Sequence, residues 1–403
     1  MSLTPIDIAF EQVAVGLPQI NEKETVPLLM ATGRVLAEDC VSPIDVPAYN
    51  NSAMDGYAIR VADLEGYTKN LRIGQRIAAG ENGRPLDAGE AARIFTGAPV
   101  PAGADAVVMQ ENCAVSGDQL KLLQPVAVGE NLRRAGDDIG SGELVLAAGR
   151  RLRSQDIGLL ASIGVQGVSV KRKLKVCLLT TGDELVQPGT ELAPGQIYNS
   201  NYYTLHSLLQ GLQVDVLDGS IVQDDFEATR KALLAAAENC DCVITTGGVS
   251  VGEEDHVKAV VEEEGVIQLW KLAIKPGKPL ACGKIAGTQF FGLPGNPVSA
   301  FVTFALFVRP CLLSMLGCSS GAAKTFNLTT GFTRGETGER QEYLRCQISK
   351  NEKGESTLQA LSNQSSGVAA SLSRADGLAI VPPYTAVAFG DSLEFIPFSE
   401  LSN

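Results

Sequence analysis

The chain has 403 residues, with 33 lysines and arginines against 46 aspartates and glutamates, a formal charge of −13. The acidic excess is spread along the sequence rather than gathered in a tail, which opposes generic binding to nucleic acid or to an anionic membrane. With 45% hydrophobic residues, 42 glycines and 5% aromatics, it exceeds one hydrophobic core and predicts about two to four domains of mixed α and β layers.

Two histidines exclude a histidine-rich metal site, and nine cysteines without regular spacing form neither a zinc clip nor a redox pair. His206 reads as packed on its helix and His256 as a surface residue. The opening MSLTPIDIAFEQV lacks the basic and apolar regions of a secretory signal. The most apolar stretch, 300–316, is interrupted by Arg309 and Pro310 and is short for a bilayer. A cytoplasmic protein is expected.

In chain order, TPIDIAFEQVAVGL reads as a helix with Pro5 in its first turn. Residues 48–134 read as a small β domain, in short runs such as ARIFTG, DAVVMQENCAV and DQLKLLQPV. Within it, Asn50, Asn51 and Ser52 precede Asp55-Gly56, and TGAPVPAG, which begins at Thr96, is a rigid loop. ENLRRAGDDI sets Arg133 and Arg134 before Asp137 and Asp138, taken alone an exposed ion pair. SQDIGLLASIG follows as a helix with Ser154 as its cap. The two flanking helices, in 1–47 and 135–172, are expected to meet, making 48–134 an insertion.

Residues 173–317 alternate between strands and helices. KVCLLTTGDEL, VDVLDGSIV, DCVITTGG, VIQLWKLAI and TQFFGLPG read as strands; NSNYYTLHSLLQGL, DDFEATRKALLAAAENC, EEDHVKAVVEEEG and NPVSAFVTFALFV read as helices. Such alternation predicts a mostly parallel sheet with helices on both faces. Residues 318–403 show strands with turn signals every 8 to 12 residues, expected for a small barrel or sandwich.

Ligands of open α/β sheets bind outside the carboxyl ends of the strands. That edge should carry TTGDE with Thr181 and Gly182, QDD, TTGGVSVGEED with Gly247, Gly248 and Ser250, KPGK, and GLPGNP with Pro294 and Gly295. The Thr-Gly turns offer an anion-accepting concavity, and the amides of Gly247 and Gly248 are expected to face a phosphate. Neither turn fits the P-loop or the dinucleotide spacing. Asp183 and Glu184, Asp224 and Asp225, and Glu253, Glu254 and Asp255 lie at helix starts, where an acid also serves the helix dipole; three such groups converging at one edge would call for a hard cation such as Mg²⁺, with Glu184, Asp224 and Asp255 as the metal-site candidates. If 270–275 is one strand, Lys271 and Lys275 share a face, and the Pro-Gly turn brings Lys278 nearby to hold an oxyanion.

NNSAMDGYA, RIFTGAPVP, VVMQE, RRAGDDI, TTGDEL, QDD, TTGGVSVGEED, WKLAIKPGKP and GLPGNPVSA, in this order, resemble the bacterial molybdopterin molybdenumtransferases, the MoeA family, related also to the C-terminal domain of gephyrin. The resemblance implies a discontinuous elongated domain, a β-rich insertion at 48–134, an α/β molybdopterin-binding domain at 173–317 and a C-terminal β-barrel at 318–403. It implies a homodimer in which one subunit's α/β cleft is completed by the other's inserted domain. The implied reaction ligates molybdate into adenylylated molybdopterin with Mg²⁺ and releases AMP, the substrate coming from a separate adenylyltransferase that would touch this protein transiently. Matched by motif, Asp55, Thr96, Asp138, Glu184, Asp224, Asp255, Lys271 and Lys275 are the implied catalytic residues, and Arg133 joins the substrate contacts. Arg345 in YLRC and Ser366 in NQSSG are looser matches to substrate-binding positions. His256 stands where many relatives carry Tyr. Two rivals are a molybdopterin adenylyltransferase, disfavoured by the N-terminal half, and a gephyrin-like binding scaffold.

Overall fold

The computed structural model describes residues 3–64, 70–249, 256–319 and 321–401, and the chain divides into two compact units. One comprises Glu38–Ala148 and Ser154–Gly167, the other Met1–Ala37, Gly149–Arg153 and Val168–Asn403.

The smaller unit is built on a six-stranded sheet, in spatial order Ala106–Met109, Gly56–Ile59, Glu90–Ile94, Leu71–Ile77, Gln119–Leu122 and Cys113–Ser116. Strand alternation fills both faces: Tyr57, Ile59, Ala91 and Val108 enter one apolar cluster, Ala58, Ala92, Ile94 and Val107 the other. Buried Glu90 is answered by Arg72 at 3.3 Å and Arg84 at 2.5 Å. Helix Ser154–Ser162 belongs to this unit, whereas helix Ile6–Ala14 belongs to the other. On the apolar stripe of Ile6–Ala14, Ala9 and Val13 are buried in the α/β core with Leu272 and Met315. Pro5 stands at the cap position rather than inside the first turn.

The larger unit contains the α/β layer. Its strands and helices run β1 Lys175–Thr181, α1 Ser200–Gly211, β2 Asp215–Val222, α2 Phe226–Asn239, β3 Cys242–Thr246, α3 His256–Glu264, β4 Gly265–Lys271, β5 Pro279–Ile285, β6 Thr288–Leu293 and α4 Pro297–Thr303. The sheet order is β2-β1-β3-β6-β5-β4; β2, β1, β3 and β6 pair in parallel, and β5 alone runs against the rest, pairing antiparallel with both β6 and β4. Val176 and Leu178 point to α1 and α4, while Cys177 and Leu179 point to α2 and α3, so both faces are covered as the sequence predicts. Asn199 caps α1 and Asp225 caps α2, each through its side chain.

Three features depart from the sequence reading. Strand β5 is additional: it pairs with β6 around Ala286 and Gly287, both with positive φ, a two-residue hairpin turn. The predicted strand through Ile274 ends instead at Lys271, and Ile274–Lys275 forms a separate pairing with Gln341–Glu342. Helix α4 continues through a π turn, Phe304–Val308, into Arg309–Met315. That turn accommodates Pro310, whose missing N–H would break a regular helix. Pro297–Met315 is thus long and apolar enough to cross a membrane, yet 83% of its apolar window is buried, and it serves as a core helix.

Beyond it, Phe326–Thr330, Gln341–Lys350, Ser356–Ala360, Gly377–Val381 and Ser392–Pro397 close into a five-stranded barrel, through pairing of Gln341–Lys350 with both Ser356–Ala360 and Gly377–Val381. All five fall in the strand runs that the turn signals of 318–403 delimit.

Candidate functional site

At the carboxyl ends of β1, β3 and β6 lies a cavity of about 600 Å³, lined among others by Thr181, Glu184, Asn199, Thr246, Gly247 and Gly295. Asn201 ties two of its walls together: its amide donates to the Thr246 hydroxyl at 3.0 Å and to the Gly295 carbonyl at 2.7 Å. The Thr246 hydroxyl donates in turn to the Pro294 carbonyl at 3.0 Å. Asn199 donates to the Thr180 hydroxyl at 2.8 Å while capping α1. Buried side-chain bonds of this kind fix loop geometry that an exposed turn would leave loose. Neither asparagine was marked by the sequence reading; the NSN run at the helix start was the available signal.

The Thr-Gly turns meet. Gly247 has φ +95° and Gly248 φ +63°, and a Cβ on Gly247 would stand 2.6 Å from the Thr181 carbonyl oxygen. Glycine is therefore required there by backbone approach as well as by conformation. The amide of Gly247 does not serve a ligand as expected, because it donates to the Leu293 carbonyl at 3.1 Å. Ser250 and Asp255 lie outside the described residues.

The acidic loops are adjacent, the Asp183 carboxylate accepting from the Asp224 amide at 3.0 Å. Glu184 lines the cavity and folds back on its own turn, its carboxylate 2.6 Å from where a Gly182 Cβ would stand. Among the described residues no group of three ligating side chains gathers as a metal cage. Magnesium, however, keeps several waters and takes one or two carboxylates plus substrate oxygens, so hard-oxygen donors on abutting loops fit it.

The lysines divide. Lys271 is half-buried at the end of β4 and Lys278 is exposed in the following loop, while Lys275 donates to Glu342 at 2.8 Å. Because the strand ends at Lys271, the two-residue period cannot be what aligns Lys271 with Lys275. Arg345 is wholly buried rather than facing a ligand. It donates to the Ser371 hydroxyl at 3.1 Å and to the carbonyls of Asn363 and Ser365 at 3.3 and 3.0 Å. Burial pushes its guanidinium pKa down. The loop it braces carries Ser366, whose carbonyl accepts from Val298 at 3.0 Å, and Gly367, which lines the cavity.

In the smaller unit Asp55 accepts from both the amide and the hydroxyl of Thr96, each at 2.8 Å. These bonds, the backbone one foremost, hold its carboxyl below the usual range. Arg133 and Asp138 are exposed; Arg133 pairs with Asn51 in a short antiparallel strand. Asp137 accepts from the Arg134 amide at 2.6 Å, so this stretch is a carboxylate-closed turn. Of the histidines, His206 stacks on Tyr202 at 5.7 Å, and His256 is half-buried, edge-on to Phe226 at 6.5 Å rather than free on the surface.

The fold and the cleft define a multidomain α/β protein with a polar small-molecule site at the carboxyl edge of a mainly parallel sheet, accompanied by a β-rich unit and a small barrel. Three family models cover the chain: the MoeA N-terminal region, domains I and II, over residues 4–164; a probable molybdopterin binding domain over 177–314; and the MoeA C-terminal region, domain IV, over 328–398. The chain is 37% identical to the molybdopterin molybdenumtransferase of Haemophilus influenzae, covering 98% of this chain and 99% of that one. It is 33% identical to the molybdopterin molybdenumtransferase of a Nostoc species, over 90% and 85% of the two chains. A solved molybdopterin biosynthesis MoeA protein of Pyrococcus horikoshii is 30% identical, with a TM-score of 0.84, over 98% and 100% of the chains. The chain belongs to the MoeA family of molybdopterin molybdenumtransferases.

Proposed function

We propose that this protein is a transferase that inserts molybdenum from molybdate into adenylylated molybdopterin, with Mg²⁺-dependent release of AMP. The observation that carries the reading is near-full-length similarity to the Haemophilus influenzae molybdopterin molybdenumtransferase, joined to a polar cavity at the strand ends of the α/β layer. The Thr181 and Gly247 turns and the asparagine-bonded Pro294–Gly295 loop shape the pocket for the phosphate-bearing substrate. Glu184 and Asp224, with Asp255, would hold Mg²⁺, which when bound supplies charge neutralisation at the phosphoanhydride. Lys271, Lys275 and Lys278 balance the anionic charge of molybdate and phosphate, so the protein's contribution is positioning and electrostatics rather than covalent catalysis.

Asp55, Thr96, Arg133 and Asp138 complete the site in this reading from the β-rich unit of a second copy, which makes the working enzyme a homodimer. A cytoplasmic location and a transient contact with the adenylyltransferase that supplies the substrate follow from the same pathway. No nucleic acid or membrane partner is involved.

The test is to supply adenylylated molybdopterin, molybdate and Mg²⁺ and to measure AMP. Release is expected without ATP and is lost in Asp224→Ala. AMP formation only when ATP and free molybdopterin are supplied would favour the adenylyltransferase instead.

A further inference from the structure

We propose that Glu342, a barrel residue, is a positioning residue that holds the ammonium of Lys275 in place for an anionic substrate. The proposal rests on reading Lys275 as a substrate-side cation. Glu342 is nearly inaccessible, its side chain 5% exposed against 50% for Lys275. One of its oxygens accepts from Lys275 at 2.8 Å, and the other is ion-paired with Arg334 without hydrogen-bond geometry. The backbone sets this arrangement, because Lys275 and Glu342 are register partners where Ile274–Lys275 pairs with Gln341–Glu342. Arg340 adds a weaker clasp, donating to the Ile274 carbonyl at 3.4 Å.

Two physical consequences follow. A lysine is a point charge on a flexible stem, and a rigid buried acceptor removes much of its rotamer freedom before a ligand arrives. One carboxylate shared by two cations also leaves the cluster net positive, so Lys275 keeps attraction for an anion that a one-to-one ion pair would cancel. Without Arg334 on the second oxygen, the Lys275–Glu342 pair would be neutral toward substrate. The barrel therefore acts on the α/β site through one carboxylate.

The experiment compares Glu342→Gln in the wild-type and Lys275→Gln backgrounds, using AMP release from adenylylated molybdopterin with molybdate and Mg²⁺. In the wild-type background kcat is expected to fall about tenfold, with KM for the pterin changed less than about threefold. In the Lys275→Gln background the same substitution should change kcat by less than about twofold, since residues acting through one another are non-additive. Equal losses in both backgrounds would mean that Glu342 acts on the fold and would overturn the inference while leaving the reading of Lys275 intact. Full activity of Lys275→Gln would overturn that reading and the inference with it. Arg334→Gln guards against misfolding of the Glu342 variant. It keeps the Lys275 contact but leaves the pair neutral, so KM for the pterin should rise while most of kcat is retained, whereas a loss of kcat as large as that of Glu342→Gln would identify Glu342 as barrel glue and reject the proposal.

Discussion

Replacing Gly247 with Ala tests whether the meeting of the two Thr-Gly turns shapes the cleft. The residue sits at φ +95°, where a side chain costs about 1–2 kcal/mol. Its Cβ would stand 2.6 Å from the Thr181 carbonyl oxygen and 2.8 Å from the Thr181 hydroxyl, and overpacking of this kind adds about 1–3 kcal/mol. A total of about 2–5 kcal/mol corresponds to a fall in thermal midpoint of about 4–20 °C in a unit of this size. Relief requires the β3 turn to move away from β1 by several tenths of an ångström, which displaces the cavity wall. Turnover should then drop roughly a hundredfold, because small misplacements at a reacting centre are costly. Gly295→Ala is the control: its Cβ would meet only the Gly247 Cα, at 3.9 Å. Its midpoint should be unchanged, with KM for the pterin raised if substrate approaches that loop. Thermal unfolding and steady-state AMP release on both variants provide the readouts. Gly247→Ala with wild-type midpoint and turnover would refute the argument.

Three further outcomes are expected. Arg345→Lys removes the forked bonds to Ser371, Asn363 and Ser365 and should destabilise the barrel by about 3 kcal/mol. The braced loop also walls the cavity, so KM should rise with the fall in midpoint in thermal and kinetic assays. For Asp55, a carboxyl held below its ordinary pKa by Thr96 contributes stability that is present above the unfolded value of about 4 and lost as pH falls through its lowered folded value. Asp55→Asn should abolish that increment, visible as a flatter midpoint-versus-pH curve for the variant as pH falls below about 4. Burial pushes the Cys282 and Cys346 thiols up to about 12 and those of Cys242 and Cys311 well above their ordinary value. Iodoacetamide at neutral pH should leave these four unlabelled in the native protein, as mass spectrometry of the peptides would show.

The α/β layer was legible because its strands are short apolar runs ending in Gly turns and its helices carry apolar stripes, whereas the caps Asn199 and Asp225 emerge only in the structure. The barrel was legible from strand runs punctuated by regularly spaced turn signals. Strand β5 escaped because its entrance, KPGKP, reads as a turn and its hairpin uses Ala286-Gly287 rather than the stronger Asn-Gly signal. The end of β4 was misplaced because the chain exchanges one sheet for another between Lys271 and Ile274, a tertiary choice with no local mark. The motif loops located the cleft, but the burial of Arg345 and Glu342 was hidden. A charged residue in a strand reads as solvent-facing until a second element is seen to cover it. Likewise the Gly247 amide seemed free in a Gly turn, yet β6 supplies its acceptor.

The central claim is that the cleft joins molybdenum to an activated pterin while AMP leaves. Its most direct measurement follows molybdopterin-bound molybdenum and AMP together in one reaction containing the purified protein, adenylylated molybdopterin, molybdate and Mg²⁺, without ATP. The account predicts that the two appear in equal amounts and that both vanish when Asp224 is replaced by Ala. AMP without pterin-bound molybdenum, or a requirement for ATP, would contradict it.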